Sequence, residues 1–459
     1  MNQRSTGELS AEIAGDVLTP DSEAYDAARA VWNARFDRRP ALVVRCANAQ
    51  DVQAAIRHAR NAGLALAVKG GGHSYAGNST SEGGLLIDLG PMRSIAVDAA
   101  KRRATVQPGA TWGEFDRAAQ AFGLATSGGT VSTVGIAGVT LGGGEGWLSR
   151  THGLTLDNLV AADVVTANGE CVRASADTNP ELFWAIRGGS GNFGVVTSFE
   201  YALHEVGPEL LAGQVVYGAD RAPELLRFYR DYFADAPDEV ACYLFFVRIP
   251  PVADFPASLH GTLAADFVLC YAGAIAEGEK ALAPFRQLPN PIADTVAPVP
   301  YLALQQSFDA GTGKGYRWYS RGQYLDHLSD AAIDAFVQHL EPFPGDLTTA
   351  YIGAEGGAIG RVPADATAFP HRSAAYGLHV FPGWIDAAAD DEVMAWTRRL
   401  HSALVPHANG GVYVNLLAED EQARVPAAYG GNYARLRRVK KRWDPDNLFR
   451  TNHNIPPAP

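Results

Sequence analysis

Residues 69–75 read Lys-Gly-Gly-Gly-His-Ser-Tyr, and this stretch decides the fold. Glycine adopts positive φ values readily and lets backbone N–H groups come close to a ligand. Successive N–H groups with no side chains between them form a concave nest suited to a pyrophosphate. The imidazole of His73, just beyond the nest, could act as an acid, a base or a nucleophile toward carbon. For such a stretch taken alone, the alternative is a glycine turn followed by a surface histidine.

Two further glycine-rich tracts follow along the chain. One runs from Gly128 to Gly146, and the other reads Gly-Ser-Gly-Asn-Phe-Gly over residues 189–194. The latter matches the G-x-G-x-x-G pattern of nicotinamide-dinucleotide sites, which requires a strand before it and a helix after it. Residues 195–199, Val-Val-Thr-Ser-Phe, predict a strand instead, so we reject such a site. Three tracts together favour an extended cofactor, such as a flavin dinucleotide, over tightly packed loops.

The composition excludes several classes of protein. The chain has 459 residues, of which 47% are hydrophobic and 19% charged, and its net charge is −12. This length allows two or three domains, and the acidity argues against a nucleic-acid partner. No apolar run is long enough to span a membrane, and residues 1–15 lack the pattern of a signal peptide. We therefore expect a cytoplasmic protein that does not contact membranes.

Metal and disulfide chemistry are not indicated by the sequence. The cysteines are widely spaced, and no C-x-x-C, H-x-H or H-E-x-x-H pattern occurs; they are Cys46, Cys171, Cys242 and Cys270. We therefore expect no metal site.

The periodicity of the chain predicts a mixture of helices and strands. Helices are predicted over 21–36, 49–61 (capped by Asn48 and ended by Gly63), 112–122, 277–286, 330–340, 390–404 and up to about Trp443. Strands are predicted over 64–68, 85–89, 104–107, 158–166, 195–203, 240–248 and 267–271. The strands become richer in aromatic residues after Gly207, which indicates an antiparallel sheet with covering helices in the second half. The fold class is therefore α+β.

The chain resembles a known family on a series of ordered motifs. It is similar to the berberine-bridge-enzyme-like flavoproteins, whose FAD-binding domain is of the vanillyl-alcohol oxidase type, and to their bacterial branch that includes 6-hydroxy-D-nicotine oxidase. The motifs span nearly the whole chain: Arg39–Val43, Gly70–Tyr75, Gly128–Asp157, Phe183–Gly189 with Asn192–Thr197, Phe369–Arg372, Tyr413–Asn415 and Trp443–Phe449.

The resemblance implies a two-part FAD-binding domain plus an antiparallel-sheet substrate domain covered by helices. We expect the FAD-binding domain over residues 1–207, with its core at 36–207. The substrate-binding domain is expected over 208–432, and a C-terminal segment, 433–459, would complete the FAD-binding domain. Contacts with the cofactor are implied at Lys69, Gly70, Gly71, Gly72, His73, Ser74, Gly77, Gly128, Gly129, Thr133, Val134, Gly138, Gly142, Gly143, Gly194, Val195, Val196, Asn452 and Asn454.

The resemblance also implies how the flavin is attached and reoxidised. Family members bond the 8-methyl group of FAD to the histidine that matches His73. Val131 replaces the cysteine that makes a second link in many members, so we expect a single covalent bond through His73. Val134 matches the position that controls access of dioxygen, and a valine there resembles the oxidases rather than the dehydrogenases.

Four residues are candidates for catalysis: Tyr75, Glu145, His379 and Tyr413. By resemblance, Tyr75 faces the substrate, His379 replaces a catalytic glutamate or glutamine, and Tyr413 belongs to a Y-x-N motif near the flavin. Glu145 is either a base whose pKa is raised beside the ring or a polar anchor, because a buried carboxylate is costly. For each residue, a packing or surface role is the alternative. A further cluster, Arg317, Trp318, Tyr319 and Tyr324, suits a planar ligand or the packing of a sheet on helices.

These observations predict an FAD-dependent oxidase that removes a hydride from a C–H beside a hydroxyl or amine of a small organic molecule. Dioxygen would reoxidise the flavin and give hydrogen peroxide. A flavin-dependent dehydrogenase, an oxidative cyclase or desaturase of secondary metabolism, and a non-catalytic flavin-binding protein are the alternatives. The expected partners are a small-molecule substrate and dioxygen, and the expected state is a monomer or homodimer.

Overall fold

The computed structural model describes residues 3–252 and 255–459. In this part of the chain, three large sheets and their covering helices form the fold. No helix within these ranges is both long and apolar enough to cross a bilayer.

The first sheet has the order β1-β2-β4-β3, with β2, β4 and β3 parallel and β1 antiparallel at the edge. Its elements are β1 (Asp16–Leu18), β2 (Leu42–Arg45), β3 (Leu66–Lys69) and β4 (Leu85–Asp88), with helices α1 (Gln3–Glu12), α2 (Tyr25–Arg29) and α3 (Ala49–Ala62). The predicted caps of α3 are confirmed. The side chain of Asn48 accepts a hydrogen bond from the N–H of Asp51, and Gly63 ends the helix at φ 63°.

The second sheet is antiparallel and has the order β5-β6-β10-β8-β9. The strands of this region are β5 (Ile95–Asp98), β6 (Arg103–Val106), β7 (Leu124–Ala125), β8 (Leu159–Val165), β9 (Cys171–Ser175), β10 (Val195–Ala202) and β11 (His204–Glu205), and its helices are α4 (Trp112–Gln120), α5 (Ile136–Gly142), α6 (Ser149–His152) and α7 (Pro180–Ile186). The tract at residues 189–194 lies between α7 and β10, with the helix before it and the strand after it. This order is the reverse of a dinucleotide-binding βα turn.

The third sheet is antiparallel and has the order β15-β12-β14-β13-β19-β20-β18, with β16 also paired to β12. The strands of this region are β12 (Glu209–Gly218), β13 (Val240–Arg248), β14 (Leu263–Tyr271), β15 (Ala293–Asp294), β16 (Ala297–Pro300), β17 (Arg317–Trp318), β18 (Arg321–Leu325), β19 (Thr349–Ala354), β20 (Tyr376–Phe381) and β21 (Gly383–Trp384). The helices that follow β11 are α8 (Ala222–Phe233), α9 (Ile275–Arg286), α10 (Tyr301–Gln305), α11 (Asp330–Leu340), α12 (Ala358–Arg361), α13 (Asp390–Leu404), α14 (Val425–Tyr429) and α15 (Tyr433–Trp443).

The two faces of the third sheet have different surroundings. Residues such as Leu244, Phe246 and Phe267 point to one face and share a core with Leu225 of α8 and Phe336 of α11. Because side chains alternate along a strand, the residues between them point to the opposite face. That opposite face forms the wall of the cavity described below.

One predicted helix is wrong. The prediction ran from residue 21 to 36, but α2 covers only Tyr25–Arg29, and Ala30 leaves the helix at φ −59° and ψ 138°. Tertiary contacts explain the early end. The N–H of Trp32 donates to the carbonyl of Gly72, and the Asn33 amide donates to the carbonyls of Tyr75 and Trp318. These bonds draw the segment toward the glycine nest.

A buried ion pair fixes the C-terminal tail. The Lys440 ammonium, fully buried, lies 2.6 Å from the Asp444 carboxylate and donates to the carbonyls of Asn192 and Phe449 at 2.7 and 2.8 Å. The Asp444 carboxylate also accepts the N–H groups of Leu448 and Phe449. The pair therefore joins α15, the tail and the third glycine tract.

Loss of this ammonium should destabilise the protein strongly. We expect Lys440→Met to lower the free energy of unfolding by about 3–5 kcal/mol, because Asp444 would remain as an uncompensated buried charge. Denaturant unfolding of the variant measures the change. Lys441→Met is the matched control, since Lys441 is exposed and its loss should cost less than about 0.5 kcal/mol. Equal stability of the two variants would contradict this account of the tail.

Candidate active site

A cavity of about 870 Å³ lies between the glycine-rich tracts and the open face of the third sheet. Its wall includes residues from β3, β10, α5, β12–β14 and the C-terminal tail. A space of this size, with one apolar side and a few polar groups, is typical of a cofactor and substrate site.

The glycine nest forms one end of the cavity. Gly70, Gly71, Gly72, His73 and Ser74 line it directly after β3. Gly72 needs its positive φ of 73° for the turn. A Cβ on Gly71 would lie 2.4 Å from the backbone nitrogen of Gly135, so the first and second tracts touch backbone to backbone.

His73 lies in the cavity as a neutral imidazole. Burial lowers the pKa of His73 to about 4, with a further decrease from the charge of Lys314, against the opposing effect of a backbone hydrogen bond with Thr133. The ring stacks on Trp32 at 4.9 Å between centroids. A neutral imidazole keeps a lone pair, which is the form that a nucleophile toward carbon requires.

The second and third tracts supply a wall of small residues. Gly129, Val131, Val134 and Gly138 line the cavity, as do Gly194, Val195 and Val196 at the start of β10. A Cβ on Gly138 would meet nothing within 4 Å, so this position opens onto free space. A flat ring could lie against such a wall.

Several predicted cofactor contacts lie outside the cavity wall, and most of them have local structural roles. The Lys69 ammonium lies 3.6 Å from the Asp88 carboxylate and donates to the carbonyl of Ala28. Thr133 is exposed. A Cβ on the remaining glycines would meet packed atoms: Phe36 for Gly77, Trp112 for Gly128, Asn415 for Gly142 and Tyr413 for Gly143, at 2.4, 2.5, 2.1 and 2.7 Å. These four glycines allow close packing behind the wall.

The C-terminal tail brings amide groups to the cavity. Asn452 lines it, Asn454 lies outside its wall, and the Oδ1 atoms of both are buried without a hydrogen-bond partner among the described residues. The Asn452 Nδ2 donates to the carbonyl of Gly191 at 3.2 Å, which orients its oxygen. Buried polar atoms in native proteins are normally paired, so these oxygens indicate a donor supplied by a ligand. The nest, the small-residue wall and these amides together fit FAD.

A partly buried acid, Glu145, lies elsewhere in the cavity wall. The Glu145 carboxylate accepts a hydrogen bond from the Tyr324 hydroxyl at 2.8 Å, and its other oxygen lies 4.0 Å from the Nε2 of His379. Burial raises the pKa of Glu145 to about 7, against the opposing effect of the Tyr324 bond. A group with this pKa can exchange a proton near neutral pH.

Glu355 lies behind this acid. One carboxylate oxygen of Glu145, one of Glu355 and one ring nitrogen of His379 all lie within 4.8 Å of one another. Burial and the charge of Glu145 raise the pKa of Glu355, against the charge of Arg150, so the two acids favour sharing a single negative charge. The Glu145 oxygen and the Nε2 of His379 are 4.0 Å apart, which is beyond hydrogen-bond distance.

His379 and Tyr413 flank the acid in different ways. Both ring nitrogens of His379 are buried without a hydrogen-bond partner in the described chain, and burial lowers its pKa to about 3. The Tyr413 oxygen accepts the N–H of Gly144 at 2.7 Å and the Asn415 amide at 2.9 Å, so its own proton remains available to another acceptor. Burial, chiefly, raises the pKa of Tyr413.

An aromatic wall connects His73 with the acids. The rings of Trp32, Tyr75, Phe381 and Tyr351 follow one another at centroid distances of 5.2–5.6 Å. Tyr75 thus lies in the cavity between the nest and the third sheet. Of the aromatic and basic cluster, Trp318 lines the cavity and Tyr324 bonds to Glu145, whereas Arg317 and Tyr319 bond to Asp390 and Asp420.

Sequence reasoning missed five residues that long-range contacts bring to the site or next to it: Trp32, Asp266, Tyr351, Glu355 and Phe381. None of them belongs to a glycine tract or a short motif. Strand alternation in β14, β19 and β20 is the signal that could have pointed to three of them.

Fold and cavity together define an FAD-binding oxidoreductase of the vanillyl-alcohol oxidase type. Comparison with known families agrees. The family model described as "FAD binding domain" matches residues 40–175, and the one described as "Berberine and berberine like" matches residues 412–456.

Relatives match nearly the whole chain. The (R)-6-hydroxynicotine oxidase of Paenarthrobacter nicotinovorans is 33% identical, with 97% of each chain covered. The FAD-linked oxidoreductase YgaK of Bacillus subtilis is 31% identical, over 97% of this chain and 98% of that protein. The crystal structure of 6-hydroxy-D-nicotine oxidase from Arthrobacter nicotinovorans superposes with a TM-score of 0.86 at 30% identity, with coverage of 97% and 98%. The chain belongs to the berberine-bridge-enzyme-like family of FAD-linked oxidoreductases.

Proposed function

We propose that this protein is an FAD-dependent oxidase that removes a hydride from a C–H beside a hydroxyl or amine of a small organic molecule and passes the electrons to dioxygen, giving hydrogen peroxide. The observation that carries the proposal is the presence, in one cavity, of the neutral His73 beside the glycine nest and of Glu145, whose pKa lies near 7. The names of similar proteins, (R)-6-hydroxynicotine oxidase among them, support oxidase chemistry.

In this proposal His73 holds the cofactor through a single covalent bond. Its ring is kept neutral by burial and is fixed in place by Trp32. Val131 lines the cavity where other family members carry a second linking cysteine, and valine has no sulfur to form that bond. The tail amides of Asn452 and Asn454 would hold the cofactor by hydrogen bonds.

Glu145 is the proposed base. When bound, FAD supplies the hydride acceptor. The Glu145 carboxylate would take the hydroxyl or amine proton of the substrate, while Tyr324 donates to its other side. Glu355 and His379, which lie beside Glu145, would act as positioning residues. Tyr413 and Tyr75 would orient the substrate, since the Tyr413 proton is available and the Tyr75 ring forms part of the wall.

The domain division given above, 1–207, 208–432 and 433–459, remains part of the proposal. The third sheet is built from strands between β12 and β20, and this supports a separate middle domain over 208–432. The Lys440 bonds to the third glycine tract support the assignment of the tail to the FAD-binding part. The strand β1 adds residues before 36 to the first sheet.

Replacement of His73 tests the covalent bond. We expect His73→Ala to lose the flavin on acid precipitation, because no other group would hold it, whereas the unaltered protein gives a yellow pellet. Mass spectrometry of the peptide that contains residue 73 should show the added FAD. His339→Ala is the control, since His339 is exposed on α11. A flavin that stays bound in acid in His73→Ala would refute this attachment.

Enlargement of Val134 tests the oxidase reaction. We expect reduced protein to reoxidise rapidly in air with release of peroxide, and Val134→Leu to slow this step by about tenfold or more, a barrier increase of about 1.4 kcal/mol. Stopped-flow absorbance measures the rate. Val131→Leu, which enlarges a neighbouring valine of the same wall, should leave it nearly unchanged. Slow reoxidation of the unaltered protein would indicate a dehydrogenase instead.

The pH profile tests Glu145 as the base. A base must be ionised, so kcat should rise with pH to a plateau with a midpoint at about 7. Glu145→Gln should lower kcat by about 10²–10⁴-fold. Tyr324→Phe removes a hydrogen bond that lowers the pKa of Glu145, so the midpoint should move to higher pH while activity remains. If the midpoint of the kcat–pH profile is the same in Tyr324→Phe as in the unaltered protein, the proton is transferred by another group.

A further inference from the structure

The wall of the cavity on the third sheet contains an acidic residue that the proposed reaction does not use. Asp266 lies on β14, where its register partners are Val216 of β12 and Phe245 of β13. All three line the cavity. Asp266 is therefore the polar member of an otherwise apolar row of side chains.

One oxygen of the Asp266 carboxyl is buried without a hydrogen-bond partner among the described residues. The residue is 7% exposed, and its Oδ1 atom has no hydrogen-bond partner in the part of the chain that the structure describes. Ile249 and Phe255 of the loop after β13 also line this end of the cavity. Burial of an unpaired carboxyl costs free energy, so its presence at a cavity wall indicates that a bound ligand supplies the hydrogen-bond donor.

The position of Asp266 on the sheet sets how long a ligand must be to extend from Asp266 to the Glu145 end of the cavity. The row continues from Phe245 to Tyr351 of β19 and from Tyr351 to His379 of β20. Asp266 and His379 are thus three strand spacings apart, or about 14 Å at about 4.8 Å each. The rings of Phe245 and Tyr351 lie 4.7 Å apart between them, and that of Tyr351 lies 5.0 Å from His379. The floor between the two ends is aromatic.

The charges around this end favour a cation. Asp346 is a further acidic residue of the cavity wall, besides Asp266 and Glu145. The one arginine of the wall in the described ranges, Arg248, donates to the carbonyls of Gly261 and Phe343 at 2.8 and 2.7 Å. Burial raises the pKa of Asp266 to about 7, so a neighbouring ammonium would readily ionise it.

We propose that Asp266 binds a protonated amine at the far end of an elongated aromatic substrate, whose reacting carbon lies at the Glu145 end of the same cavity. The inference rests on the proposed function for the position of the reacting end. The amine at Asp266 is bound and is not oxidised there. The Asp266 carboxylate would accept its N–H groups, and the rings of Phe245 and Tyr351 would contact the aromatic body.

Ligand binding to the holoprotein tests the proposal without turnover. The probes are phenylalkylamines of increasing chain length and phenylalkanols of the same lengths, and dissociation constants are read from changes in the flavin absorption. We expect the best amine to bind about tenfold to a hundredfold more tightly than its matched alcohol. Asp266→Asn should abolish this preference, and Asp346→Asn, which changes another acid of the wall, should retain it.

Two outcomes would overturn the proposal: equal binding of amines and alcohols by the unaltered protein, and an amine preference that survives in Asp266→Asn. Asp266→Leu is the second variant; it should lose the amine preference and bind phenylalkanes more tightly, because it removes the buried polar group. The result is separate from the oxidase assay. Amine binding that depends on Asp266 in a protein that fails to reoxidise in air would uphold this inference and reject the proposed oxidase function.

Discussion

The site depends on a contact between two glycines. Gly71 in the nest and Gly135 in the second tract approach so closely that a Cβ on either would lie 2.4–2.5 Å from a backbone nitrogen of the other. A distance below 3 Å to backbone cannot be relieved by rotation of a side chain, so any larger residue would have to separate the two tracts. That separation would move His73 on one side and Val134 on the other, and both line the cavity. The glycine-rich composition of the tracts therefore follows from their contact with each other as well as with a ligand.

Glu145 in the cavity wall and Glu355 behind it are placed in a way that also adjusts them for proton transfer. Carboxylate oxygens of Glu145 and Glu355 lie within 4.8 Å of one another and are largely shielded from solvent, so two full negative charges there would repel strongly. The neutral His379 adds no compensating charge. Arg150 faces Glu355, but it is held by backbone carbonyls, including those of Val240 and Glu355. The result is a pair that holds a proton near neutral pH, with Tyr324 favouring ionisation at Glu145.

Sequence analysis predicted the elements whose limits depend on neighbouring residues, and it missed the residues that are placed by contacts with distant parts of the chain. Asn48 and Gly63 delimit α3 by local capping, and Asp330–Leu340 and Asp390–Leu404 were predicted to the residue, because their boundaries depend on nearby chain. The segment after Arg29 was predicted as helix, since its bonds to Gly72 and Tyr75 are long-range. Glu355 and Asp266 carry no local signal for the same reason. Asp266 reaches the cavity wall, and Glu355 the space behind Glu145, only through the pairing of β13, β14, β19 and β20.

That register has a consequence for how a substrate would be held. A single row across the sheet joins an acidic residue at β14 to the His379 side of the proton-accepting cluster, with aromatic rings between them. Hydrogen-bonded strands keep a nearly fixed spacing, so the separation of the two ends is set by the number of strands and changes little with side-chain motion. A ligand bound at both ends would have its reacting carbon fixed in position. Binding energy gained at the remote end would then serve to orient that carbon, which raises the rate of a step sensitive to geometry.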